Sequence, residues 1–123
     1  MLAPAALEEW RSIKGFSNYE VSNLGRVRSL PRTYKLGYEH RGVLHNAGGQ
    51  LRTSIVKGTL RVSMGTTKAN RKYYGVKKLV WEAFYGELRR GVVLLSEDGD
   101  PANAALTNLR PVTRAELLRM NVR

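Results

Sequence analysis

Cysteine is absent from the 123 residues. That removes any disulfide framework and any thiolate zinc site, and with them any redox evidence about compartment. Histidine is scarce. The two, His40 and His45, share one glycine-bearing stretch, and two ligands without a third make a weak metal site. No apolar run approaches the ~18 residues that mark a spanning helix, so the sequence predicts no membrane partner. The opening Met-Leu-Ala-Pro-Ala-Ala-Leu is apolar, but Glu8 and Glu9 follow at once and no basic stretch precedes it. The sequence therefore predicts no secretory leader. There is no glycine-rich phosphate loop and no nucleophile elbow. Asp98-Gly-Asp100 lacks the remaining ligands of a calcium loop and reads as a turn.

Acidic side chains are also in short supply. Ten Asp+Glu face 21 Lys+Arg, a formal charge of +11. A surface this basic repels itself and favours an acidic partner, nucleic acid being the commonest. The excess is local. Residues 51–90 carry 10 basic and 2 acidic side chains, whereas 91–123 carry 4 of each. Phosphate contacts are expected to centre on the middle third. At 42% hydrophobic and 25% charged, the chain is ordinary for a folded soluble domain.

Hydrophobic periodicity sets out the elements. Tyr19–Ser22 and Arg26–Leu30 alternate around Asn23-Leu24-Gly25, a hairpin pattern. It turns Val21 and Val27 inward and sets Arg26 and Arg28 on the opposite face. Residues 31–50 show no period and read as an extended loop. Thr59–Met64 alternates cleanly, with Leu60, Val62 and Met64 on one face and Thr59, Arg61 and Ser63 on the other. A polar turn over 66–70 leads to a returning strand over 71–76. Val76, Leu79, Val80, Ala83 and Phe84 then recur at helical spacing up to Gly86. Val92–Leu95 is apolar, and Leu109–Val112 is a short strand that Pro111 confines to an edge or bulge. Thr113-Arg-Ala-Glu116 is a capping box opening a helix over about 114–121. The fold class is α+β: small β-hairpin lobes with short helices and a ββα C-terminal module. The expected division is 1–58 and 59–123.

Glu9-Trp10, Ile13–Phe16 and Tyr19–Leu30 closely resemble a nuclease-associated modular DNA-binding motif found at the N-terminus of phage homing-type HNH endonucleases. Leu60–Met64, Val76–Val80 and Glu82–Phe84 resemble that family's next segment. Asp98–Asp100, Asn103, Asn108–Arg110, Val112-Thr113 and Glu116 are similar to its HNH module. Residues 1–8 and 31–58 have no evident counterpart. The resemblance implies DNA as partner and the cytoplasm of an infected bacterium as location.

The same comparison implies a degenerate cleavage site. HNH cleavage uses a general base and a divalent metal. In the family an Asn or Asp followed by His precedes the Asp-Gly turn; here those positions are Leu95 and Ser96. A metal-ligand Asn follows the last helix's Glu; here Leu117 follows Glu116. The His that often opens the preceding helix is Lys77. No catalytic residue, metal ligand or cofactor is therefore expected.

The candidate DNA-binding residues are Asn23, Arg26, Arg28, Arg61, Ser63, Lys68, Arg71, Lys72, Lys77 and Lys78, since a basic ribbon suits the major groove. Lys77 is expected to hold a phosphate beside the former cleavage centre. Tyr73 and Tyr74 offer faces for unpaired bases, with core packing of at least one favoured. Trp10 and Trp81 are assigned to the core. Three functions stay open: a DNA-binding protein that does not cut, serving regulation or counter-defence; an inhibitor or adaptor that binds a host or phage protein; and a metal-dependent nuclease with relocated ligands.

Overall fold

A computed structural model describes residues 7–35, 43–46, 48–65 and 69–121. Four antiparallel sheets and two helices are built from them. The first sheet has the order β1-β2-β3-β6, from β1 (Trp10–Ile13), β2 (Phe16–Ser22), β3 (Val27–Ser29) and β6 (Gly49–Gln50). The expected hairpin is its centre, with Val21 opposite Val27 and both side chains fully buried. Arg26 falls in the turn and only Arg28 lies on a strand.

The expected extended loop over 31–50 is corrected. It contains β4 (Arg32–Lys35) paired with β5 (Val43–Asn46), followed by β6, which pairs with β3. Backbone pairing makes these strands without an alternating apolar face, so periodicity has nothing to detect. His45 falls on β5, and its side chain and all of His40 lie outside the described residues.

The second sheet joins β7 (Thr53–Val56), β8 (Thr59–Met64) and β9 (Lys72–Gly75). Strand β7 was not anticipated. Its turn to β8 is Lys57-Gly58 with φ of 53° and 77°, the doubly positive pair of a two-residue hairpin turn. Lys in the first position hides that signal. The β7–β8 pairing spans the 58/59 division drawn from the sequence. On β8, Leu60, Val62 and Met64 face inward as expected.

Helix α1 (Val76–Tyr85) follows β9 without a linker and ends at Gly86, whose N–H bonds the Glu82 carbonyl. Strands β10 (Val92–Ser96) and β11 (Leu109–Thr113) form a two-stranded ribbon that seats Pro111 on an edge opposite Leu94. The capping box is made as read: Thr113 Oγ1 accepts from the Glu116 N–H, and Glu116 Oε1 accepts from the Thr113 N–H. Helix α2 (Arg114–Asn121) follows.

A single core joins these parts. Tyr19, Val21 and Val27 meet Leu60, Val62 and Met64, with Val76 and Val80 of α1 and Ala104 and Leu109 of the C-terminal third. Each fully buried Val or Met among them contributes roughly 1.5–3 kcal/mol by leaving water. Trp81 packs against this cluster as expected. Trp10 does not; it is half-buried beneath the Arg28 guanidinium, 4.0 Å from its ring centroid.

Two polar ties fix the first sheet to its neighbours, one to the end of β8 and one to the 3-10 turn over 106–108. The buried Tyr19 hydroxyl donates to the Gly65 carbonyl at 2.9 Å and accepts from the Gly65 N–H at 3.2 Å. The Leu106 N–H bonds the Asn23 carbonyl at 2.7 Å. Gly25 (φ 89°) sits against this second tie, where a Cβ would stand 2.9 Å from the Ala104 carbonyl carbon. Tyr19→Phe leaves both Gly65 groups without their buried partner. It is expected to cost about 1–3 kcal/mol in urea unfolding with an unchanged m-value.

Candidate nucleic-acid interface and the groove at Lys77

The N-terminal candidates are held within the fold. The Asn23 side chain accepts from the Glu9 N–H and donates to the Leu7 carbonyl. Arg26 forms a bidentate pair with Glu8. That bond is the main cause holding the Glu8 carboxyl below the ordinary range. Arg28 bonds Glu20 at 2.6 Å and stacks on Trp10. The expectation that Arg26 and Arg28 offer a shared basic face is corrected accordingly: both charges are already met by carboxylates. These partners were missed because Glu8 lies 18 residues from Arg26 and joins it only when β1 pairs with β2.

The middle third is different. Arg61, Ser63 and Tyr73 share the outer face of the three-stranded sheet, with Ser63 directly opposite Tyr73. Tyr73 is 62% exposed, and the Arg61 guanidinium carbon lies 4.4 Å from its ring centroid. Stacking of this kind fixes a guanidinium without satisfying its donors; Arg61 Nε is buried and has no hydrogen-bond partner. Tyr74 packs on the core, so the two tyrosines divide as expected. Arg71 and Lys78 are exposed. Lys72 stands opposite Met64, on the other side of the sheet from Arg61. It borders a hollow of about 320 Å3 with Tyr19 and Tyr74. Lys68 lies outside the described residues.

The positions expected to have lost their chemistry come together. Lys77 of α1, Leu95 of β10 and Leu117 of α2 line one groove of about 540 Å3, with Leu60, Leu88 and Val93 among the other walls. Lys77 is half-buried. Burial pulls its pKa below the ordinary lysine value, and the Asp98 and Asp100 carboxylates act in the opposite direction. Ser96 Oγ is buried without a hydrogen-bond partner, so no base stands ready to activate it. Asp98 is occupied as a turn former: it accepts from the Asp100 N–H and from the side-chain amides of Asn103 and Asn108. Those bonds, the one from Asn103 foremost, hold its pKa below the ordinary range.

The family's divalent metal does not fit this set. Leu95 and Leu117 have no lone pairs to give, Lys77 brings a positive charge, and Asp98 is spent on the turn. Among the described residues, no three His, Cys, Asp or Glu side chains cluster as a metal site.

Residues 8–74 match the NUMOD4 motif, and residues 74–119 match the HNH endonuclease family. The chain belongs to the HNH homing-endonuclease family that carries the NUMOD4 motif. A solved structure, described as "DNA binding and cleavage by the HNH homing endonuclease I-HmuI", is similar at 29% identity and a TM-score of 0.69. The similarity covers 91% of this chain and 56% of that one, so this chain spans little more than half of its neighbour. No curated protein matches. The motif match runs unbroken through 31–58, which corrects the expectation that this stretch has no counterpart. Among the described residues no helix is long and apolar enough to cross a membrane.

The acid dependence of stability follows from the turn and the cap. Asp98 and Glu116 are both depressed in the folded state, Glu116 chiefly by the Thr113 N–H. Their contribution is present above the unfolded carboxylate values of about 4 and is lost as pH falls through the folded ones. Calorimetry is expected to show the thermal midpoint dropping from pH 5 to pH 3, and dropping less in Asp98→Asn.

Proposed function

We propose that this chain holds duplex DNA and does not cut it. Family membership and the net charge of +11 support DNA as the ligand. The observation that carries the second half is the chemistry of one groove: Lys77, Leu95 and Leu117 line it, beside a Ser96 hydroxyl with no partner. A water cannot be deprotonated by leucine, and a leaving oxygen gains nothing from it.

The binding surface in this reading is the outer face of β7–β9. Arg61 reads a base edge from its fixed seat on Tyr73, and Ser63 adds a polar contact. Arg71 and Lys78 meet phosphates, joined by Lys68 from the segment between β8 and β9, while Lys72, on the sheet's other side, takes no part in this face. Asn23, Arg26 and Arg28 act indirectly, by holding the N-terminal sheet. Lys77 tempers the Asp98 and Asp100 carboxylates, which would otherwise repel the backbone. A binder without cleavage suits regulation or counter-defence in the cytoplasm of an infected cell, where it would shield sites that active relatives cut.

Two measurements test this. Duplex affinity is expected to fall steeply between 50 and 200 mM salt, each phosphate contact adding about 0.9 to the log–log slope. Arg61→Ala is expected to cost about 1–3 kcal/mol and relax sequence preference, and Arg71→Ala to weaken all duplexes alike. Purified protein is expected to leave supercoiled plasmid intact in magnesium or manganese. Nicking that a chelator abolishes would establish a working nuclease instead. The combined variant Lys77→His, Leu95→Asp, Ser96→His, Leu117→Asn, which restores the family's donor types, is expected to gain metal-dependent nicking.

A further inference from the structure

The groove over the former cleavage site has a composition suited to something other than a phosphodiester. Its floor is aliphatic: Leu60, Leu88, Val93, Leu95 and Leu117 contribute walls. Strand β10 is half-exposed along its whole length, although four of its five residues are Val or Leu. On α2, beside Leu117, Leu118 and Met120 are 67% and 52% exposed. At about 540 Å3 the groove is within the range that receives apolar groups. An anion inside it would lose hydration without gaining a donor from these walls.

Its border is cationic. Lys77 and Lys78 line it directly. Lys57 precedes the wall residue Gly58, and Arg89 and Arg90 follow Leu88. The Arg114 N–H bonds the Gly91 carbonyl, which sets the start of α2 beside them. Lys57, Lys78, Arg89, Arg90 and Arg114 are exposed, and none makes an ion pair with another described residue. The nearby carboxylates are largely engaged: Asp98 and Asp100 face Lys77, Glu82 accepts from the Leu88 N–H, Glu116 beside Leu117 accepts from the Thr113 N–H, and Glu87 stands exposed next to Leu88.

An aliphatic floor inside a basic border complements one class of ligand: a chain segment with apolar side chains on one face and carboxylates on the other. A second copy of this protein is a poor occupant, because two chains of +11 repel. Duplex DNA is a poor occupant of the floor, because it has no apolar side chains to bury there. We infer that this groove docks an acidic amphipathic helix of another protein. Apart from Lys78, which borders the groove, the residues given to DNA contact are not among its walls.

The probe is a fluorescein-labelled 18-residue peptide of Leu and Glu, with leucines at i, i+3, i+4 and i+7, titrated with the full chain and read by anisotropy. A scrambled peptide of the same composition serves as control. Saturable binding of the patterned peptide is expected, at least about tenfold tighter than the scramble. Leu117→Gln on α2 and Leu88→Gln on the loop before β10 are each expected to weaken it about tenfold, the scale of one buried leucine. Duplex affinity should stay within about twofold in both, since neither changes charge. Thermal melting by circular dichroism identifies a variant that fails to fold, and the other then carries the test. No binding by the unaltered chain would overturn the inference. So would equal binding of patterned and scrambled peptides, which is charge attraction alone. Loss of duplex affinity in both folded variants would give the groove to DNA. A concentration-dependent dimer that Leu117→Gln abolishes would give it to a second copy.

Discussion

Helix α1 is the wall that the two larger sheets and the C-terminal third share. It touches β1 and β2 of the first sheet, β8 and β9 of the second, and the 3-10 turn over 106–108 in the C-terminal third. Val76 and Val80 are wholly buried at that junction, and Lys77, between them, is turned to the groove. A helix of 10 residues has few positions to serve three neighbours. Its apolar stripe meets the sheets, and what remains at 77 and 78 is fixed in direction by that packing. The orientation of the groove that Lys77 lines is therefore set by the core.

The chain's charge divides by the same logic. Arginines that meet carboxylates or aromatics within the N-terminal unit and α1 become structural: Arg26 on Glu8, Arg28 on Glu20 and Trp10, and Arg11 over Phe84. Apart from Lys77, which faces Asp98 and Asp100, the described arginines and lysines of the middle third make no ion pair with another described residue. Arg61 is intermediate, since Tyr73 steadies its guanidinium while leaving its N–H groups unspent. A basic protein of this size thus spends part of its charge on folding and carries the rest on one sheet and around one groove.

The elements with an apolar face were legible in the sequence. The alternation of Leu60, Val62 and Met64, the stripe of α1 and the box at Thr113–Glu116 all state a period or a cap. The hairpin at Val21 and Val27 was legible for the same reason. Strands β4 to β7 were not, because backbone pairing holds them and four exposed residues on β7 carry no inward pattern. The substituted positions Leu95, Ser96, Leu117 and Lys77 were legible only beside a related family. The convergence of Lys77, Leu95 and Leu117 on one groove was not, since it depends on α1, the β10–β11 ribbon and α2 meeting in space. The partners of Asn23 and Arg26, and the seat of Arg28 on Trp10, escaped for want of long-range information, whereas Glu20, opposite Arg28 in the hairpin, was within reach of the pattern.

The contact at Gly25 bears on how such proteins are recombined. The N-terminal turn lies so close to Ala104 that no side chain fits between them, and the Leu106 amide closes the seam. Grafting the N-terminal unit onto a different nuclease scaffold must carry the 98–109 loop along, or else reshape it. Shuffling by simple crossover near residue 74 would leave two ill-matched surfaces facing each other, so compatible pairs of these units should descend together.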